Sequence, residues 1–149
     1  MTIHQISVFL ENRAGQLADI TGILADAQID LRAINIAETA DYGVVRLIVN
    51  DPQRASSILL QHGFILTMTP VVAVSVPDRP GGLAQVLRLL PGEGIDVEYM
   101  YSVFGQVDGL AHMIFRVADP EKLIAVLQAN GIQPIAGQDL GIQIGRAHV

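Results

Sequence analysis

The residues best placed to do chemistry are the backbone amides at two helix starts. Asn12-Arg13-Ala14-Gly15-Gln16-Leu17 recurs as Asp78-Arg79-Pro80-Gly81-Gly82-Leu83. Each copy follows a short apolar run (Ile6 to Leu10, then Val71 to Val76) and opens an apolar stretch of helical period. Each therefore reads as a strand, a tight turn and a helix start. Asn12 and Asp78 are suited to an N-terminal cap or to accepting in the turn. Gly15 and Gly81 permit a backbone geometry, or a close approach, that a Cβ would obstruct. The first amides of a helix have no partner in the helix and carry partial positive charge, which suits a carboxylate or another anion.

The elements that must position these turns follow from periodicity. Ile3 to Leu10 alternates as a strand. Leu17, Ile20, Ile23, Leu24 and Ala27 recur at helical spacing, with Gln16, Asp19 and Asp26 on the other face. Asp30 to Glu38 and Val44 to Asn50 read as strands joined by a hairpin turn at Thr39 to Gly43. Asp51-Pro52 starts a second helix, which stops near Gly63. Phe64 to Met68 closes the unit as a strand, and Pro70 punctuates it. The same order then begins again: a strand at Val71 to Val76, a helix from Gly81 to about Glu93 and a strand at Asp96 to Phe104. After a loop at Gly105 to Gly109 come a strand at Leu110 to Val117, a helix capped by Asp119-Pro120 and ending near Gly131, and a strand at Ile132 to Ile135. The tail with Gly137, Gly141 and Gly145 is expected to be an extra edge strand or loose.

Arg13, Gly15, Leu17, Ile29 and Asp30 recur 66 places later, and Asp51-Pro52 and Gly63 recur 68 places later. Two extra residues in the second hairpin loop reconcile the offsets. Matches at turns, caps and core positions together indicate an internal repeat. The expected fold is α+β: two tandem ferredoxin-like βαββαβ modules, residues 1–69 and 70–149, each an antiparallel sheet with helices on one face. Val44 and Ile48 are apolar on the side of the strand away from Val45, Leu47 and Val49, which suggests that the second sheet face is also covered.

Composition narrows the function. The chain has 149 residues, is 50% hydrophobic and carries a formal net charge of −6. An acidic chain with 5% aromatics is a poor partner for nucleic acid. The absence of cysteine removes disulfides, thiolate catalysis and thiolate zinc sites. No apolar run approaches a membrane span and no signal pattern opens the chain, so a soluble, cytoplasmic protein is expected. The four histidines, His4, His62, His112 and His148, lack metal-ligand spacing, and no metal or cofactor is expected. Nor is there a nucleophile-elbow serine, a phosphate loop of the glycine-lysine type, or a carboxylate pair beside a base. No catalytic residue can be nominated, and the chain reads as not an enzyme.

Glu11-Asn12-Arg13-Ala14-Gly15, a helix and then Ile29-Asp30-Leu31 resembles the signature of the ACT domain family. Pro77-Asp78-Arg79-Pro80-Gly81-Gly82-Leu83 followed by Gly94-Ile95-Asp96-Val97 is the fuller match. The resemblance implies two small regulatory modules that bind amino acids where modules meet. It also implies a homodimer and a metabolic enzyme or regulator as partner. Carried onto this chain, it places the ligand at Asn12, Gly15, Asp78 and Gly81 in the turns and at Asp30 and Asp96 at the strand starts. A free amino acid is a zwitterion: the amides of Gln16 and Leu17, or of Gly82 and Leu83, could hold its carboxylate. Asp30, Asp96 and strand carbonyls could hold its ammonium. The copies differ, with Asn12 matched by Asp78 and Asn35 by Tyr101, so equal affinity at the two turns is not expected.

Plainer readings stand beside these. Asn12 and Asp78 could only cap helices, the glycines could only serve turns, and Asp30 and Asp96 are ordinary after a turn. Arg13 and Arg79 fit solvated surface, and Tyr99 and Tyr101 fit packing. At the level of the whole chain, the alternatives to a sensor are an assembly module that binds no small ligand and a small ferredoxin-like enzyme.

Overall fold

In the computed structural model, which describes residues 1–11, 13–38, 42–105 and 108–143, the chain divides into two compact units. One comprises His4–Thr69 together with the chain from Leu140, and the other comprises Met1–Ile3 and Pro70–Asp139. Asn12, most of the expected hairpin turn (Thr39, Ala40 and Asp41), Gly145 and His148 lie outside the described residues.

The first unit is built from β1 (Ile3–Leu10), α1 (Gln16–Asp26), β2 (Leu31–Glu38), β3 (Gly43–Val49), α2 (Pro52–Gln61) and the opening of β4 (Leu66–Pro77). The second takes the rest of β4, then α3 (Gly82–Leu87), β5 (Val97–Ser102), β6 (Leu110–Val117) and α4 (Pro120–Ala129). The strands of the first unit lie in the order β2-β3-β1-β4, and those of the second in the order β4-β6-β5. β1 is antiparallel to β3, with Ile6 opposite Leu47 and Leu10 opposite Gly43. β4 is antiparallel to β6, with Val72 opposite Phe115 and Val76 opposite Ala111. The second set of pairs is the first displaced by 66 and 68 residues, so the repeat extends to strand register.

Alternation decides which face each strand presents to its helices. Ile6 and Val8 of β1, with Val45, Leu47 and Val49 of β3, pack against Ile20 and Leu24 of α1 and Ala55 and Leu59 of α2. In the second unit Val72, Val74, Val76, Phe115 and Val117 meet Val86, Leu123 and Leu127. Each such side chain contributes on the order of 1.5–3 kcal/mol when fully buried. The result is the expected fold: two ferredoxin-like modules, each with its helices on one side of its antiparallel strands.

Caps set the starts of α2 and α4. The carboxylates of Asp51 and Asp119 accept from the backbone N–H of Arg54 and Lys122, each at 3.2 Å, with proline at the first helical position. Replacing either aspartate by alanine is expected to cost about 1 kcal/mol. Urea denaturation of Asp51→Ala and Asp119→Ala checks this, and an unchanged midpoint would remove the cap from the account.

Four elements depart from the sequence reading, three of them because of proline. The helix expected to reach Glu93 stops at Leu87, and Pro91–Glu93 form a 3-10 turn. Pro91 has no N–H for the Leu87 carbonyl, and its ring would collide with it in an α-helix. The Leu90 amide takes that carbonyl instead, at 3.2 Å. Pro70, expected to end a strand, lies inside β4. Its fixed φ fits an extended chain, and its carbonyl accepts from Arg116 Nη1 at 2.9 Å. The expected strand at Ile132–Ile135 forms no ladder. Pro134 interrupts it, and one bond, Ile135 N–H to the Ala73 carbonyl at 2.8 Å, ties it to β4. The tail is neither an edge strand nor loose over residues 137–143: Gly137–Leu140 make a 3-10 turn, and Leu140 and Ile142 are buried. Arg32 Nε donates to the Leu140 carbonyl at 3.1 Å, and the Gln143 amide donates to the Asn50 carbonyl.

Candidate ligand-binding site

At the first turn Gly15 is the N-cap of α1, in the left-handed region with φ +88° and with no side-chain cap bond. Helical bonding begins with Asp19 N–H donating to the Gly15 carbonyl at 2.9 Å. The amides of Gln16, Leu17 and Ala18 therefore precede the ladder. Leu17 sends its side chain to the core, which leaves its backbone for any ligand. Gln16 was expected on the polar face of α1. It is instead buried, and its Oε1 accepts from the Glu11 amide at 2.6 Å, joining the helix start to the end of β1.

Two cavities share this corner. One, of about 440 Å³, is lined by Arg13, Gly15, Gln16, Ile36, Glu38 and Tyr42. The other, of about 540 Å³, is lined by Phe9, Gln16, Tyr42, Phe64 and Ile65. Both lie within the roughly 300–1,000 Å³ of small-molecule sites. Gln16 and Tyr42 stand in both walls, and the Tyr42 and Phe9 rings meet with centroids 6.2 Å apart. The first chamber holds charges of both signs: Arg13 Nε lies 3.8 Å from a Glu11 carboxylate oxygen, with both side chains largely in solvent, and Glu38 lines the same chamber. The second chamber is mainly apolar.

The second turn repeats the backbone. Gly81 is the N-cap of α3 at φ +84°, again with no side-chain cap bond. Asp78 is exposed and caps nothing, which corrects its reading as a helix cap; its amide donates to the Gly109 carbonyl at 2.9 Å. Gly82 is buried and Leu83 packs on the core.

The strand-start aspartates are elsewhere. Glu38, not Leu31, is the β2 residue paired with Gly43, and Gly43 is paired with Leu10 beside the turn. Asp30 sits eight residues back along β2, about 26 Å away at 3.3 Å per residue. It is exposed, its carboxylate 3.1 Å from Arg32 Nη1 and its amide donating to Asn50 Oδ1 at 2.8 Å. Asp96 likewise lies at the far end of its strand, beside a cavity of about 300 Å³ with Glu98, Asp119 and Lys122. Within one chain, then, Gly15, Gln16 and Leu17 come together and Asp30 does not join them. Phe9, Ile36, Glu38, Tyr42 and Ile65 join them without having been singled out. Among the described residues no three His, Asp or Glu side chains gather as for a metal ion, and no helix is long and apolar enough to cross a membrane.

The family described as ACT domain pair matches residues 1–144. A solved protein of Bacteroides thetaiotaomicron is similar at 41% identity over 95% of this chain and 96% of that one, with a TM-score of 0.88. The regulatory subunits of aspartate kinase from Thermus thermophilus and Thermus flavus share the fold. Their identities are 16% and 19%, each over 85% of this chain and 91% and 92% of theirs, with TM-scores of 0.62 and 0.57. A comparison with curated proteins finds no match. The chain belongs to the ACT domain pair family, whose modules are regulatory and commonly bind amino acids.

Proposed function

We propose that this protein is a non-catalytic regulator that binds a free amino acid at the first turn and passes the binding event to a partner enzyme or regulator. The observation that carries the reading is the paired cavity at Gly15–Leu17, where unladdered amides, charges of both signs and an apolar chamber adjoin. A carboxylate there would accept from the amides of Gln16 and Leu17, and Glu38 would accept from the ammonium. The modules are taken as residues 1–69 and 70–149. Asp30 and Asp96 lie at the far ends of their own strands, so they would enter a site where another module, of this chain or of a second copy, brings its strand start to a turn; a homodimer is part of the proposal. The aspartate kinase regulatory subunits of the same fold are the precedent for an enzyme partner. A ligand acts on such a partner only through its differential affinity for two states of the regulator.

Thermal unfolding against the twenty amino acids, each at millimolar concentration, tests the proposal. A ligand at about 100 times its dissociation constant adds roughly 2.7 kcal/mol, which is a shift of roughly 5–10 °C for a chain of this size. At least one such shift is expected. A flat panel would favour an assembly subunit that holds an enzyme partner without any small ligand.

A further inference from the structure

We infer that the two turns have diverged into one open site and one closed turn, and that the open one selects an amino acid with a large branched or aromatic side chain. The inference rests on the amino-acid reading above and specifies its ligand. Register makes the two corners comparable residue by residue: positions in β1, β2 and α1 map 66 places on, and those in β3, α2 and β4 map 68 places on.

Under that mapping Gln16 becomes Gly82 and Glu11 becomes Pro77. The two exchanges are one change. At the first corner the Gln16 side chain stands between the helix start and the strand end and takes the Glu11 amide at 2.6 Å. At the second corner Pro77 has no amide to give, and the helix start has moved onto it. A Cβ on Gly82 would lie 1.9 Å from the Pro77 carbonyl oxygen. The Gly82 amide donates to the Arg79 carbonyl at 2.9 Å, in a turn that both corners share. So Gln16 props the first corner open, and glycine lets the second close.

The chamber walls diverge in the same sense. Phe9 maps to Ser75, Ile65 to Gln133 and Glu38 to Phe104. The second copy thus lacks the carboxylate and two of the three apolar walls, with Leu110 standing where the first copy has Tyr42. In the first copy Phe9 and Ile65 are 45% and 68% exposed, although both are large and apolar and both line the cavity next to the charged one. A zwitterionic head in the first chamber places a side chain against Tyr42, Phe9 and Ile65. A branched or aromatic group covers that surface; a short or charged group leaves it wet.

Isothermal titration of the full chain with L-leucine, L-phenylalanine, L-aspartate, L-lysine and glycine tests this, run on wild type and on the double variant Phe9→Ser/Ile65→Gln. Ile65 is mostly exposed and Phe9 nearly half exposed, so the double variant should stay folded, which its unliganded melting curve checks. Leucine or phenylalanine is expected to bind once per chain, at least tenfold more tightly than the other three, and the double variant should lose at least tenfold for it. A preference for aspartate, lysine or glycine, or an unchanged affinity in the double variant, would overturn the selectivity while leaving an amino-acid sensor standing. Two ligands per chain would overturn the closed second turn. No binding of any of the five would bring down this inference and the amino-acid reading together.

Discussion

Gly82→Ala is expected to destabilise the protein by about 3 kcal/mol, at the upper end of the usual cost of overpacking, and to lower Tm by roughly 6–12 °C. The added Cβ would meet a backbone carbonyl, with the Pro77 oxygen at 1.9 Å and its carbon at 2.9 Å. Neither can turn aside as a flexible side chain would, so α3 must back away from the end of β4. Two other glycines separate this steric effect from backbone effects. Gly15 has φ +88° and no atom within 4 Å of an added Cβ, so Gly15→Ala carries only the left-handed penalty of about 1–2 kcal/mol. Gly22 lies exposed inside α1 with open space around it, and Gly22→Ala should gain about 0.5–1 kcal/mol. The expected order of stability is Gly22→Ala, wild type, Gly15→Ala, Gly82→Ala, read from urea midpoints. A Gly82→Ala protein within about 1 kcal/mol of wild type would mean that the strand end can retreat. The contrast between an open and a closed corner would fail with it.

Much of the fold is legible in the sequence because its signals are local. Asp51-Pro52 and Asp119-Pro120 state where α2 and α4 begin, and the two glycine turns state where strands hand over to α1 and α3. Repetition converts these weak signals into a strong one. The misreadings also have local causes. Pro91, Pro70 and Pro134 were each set in a pattern that pointed the other way, and a proline's effect depends on what its neighbours need from the missing amide. Gln16 was misplaced because polarity assigned it to solvent, whereas its partner is a backbone amide five residues earlier. The cavity walls were hidden for a different reason. Phe9, Glu38, Tyr42 and Ile65 come from the ends of different elements, and only the pairing of β3 with β1 and β2, and of β1 with β4, gathers them. The same pairing carries Asp30 to the far end of the sheet. The one sequence signal that could have found the walls was the mismatch between the copies, Phe9 against Ser75 and Ile65 against Gln133, read as divergence of a site.

Leu59→Ala and Leu127→Ala should each remove about 2–5 kcal/mol, a large share of the roughly 5–15 kcal/mol that holds a folded chain together. The two leucines are 68 residues apart in α2 and α4. Both are fully buried, and both accept at the carbonyl from the residue that opens the next segment, Phe64 or Ile132. They are the same position in two cores, so any difference between the losses reports on what surrounds them. The neighbour one helical turn earlier is Ala55 in the first core and Leu123 in the second. A leucine can shift a methyl group into the hole left by its neighbour, and an alanine cannot. Because the cost of such a truncation depends on how far the site collapses, Leu59→Ala should be the more damaging by up to about 1 kcal/mol. Urea denaturation of both variants decides it. Losses below about 1 kcal/mol would be incompatible with full burial of either leucine. A reversed order would show that the surroundings of Leu59, rather than those of Leu127, close over the cavity, and that shared register does not carry shared packing with it.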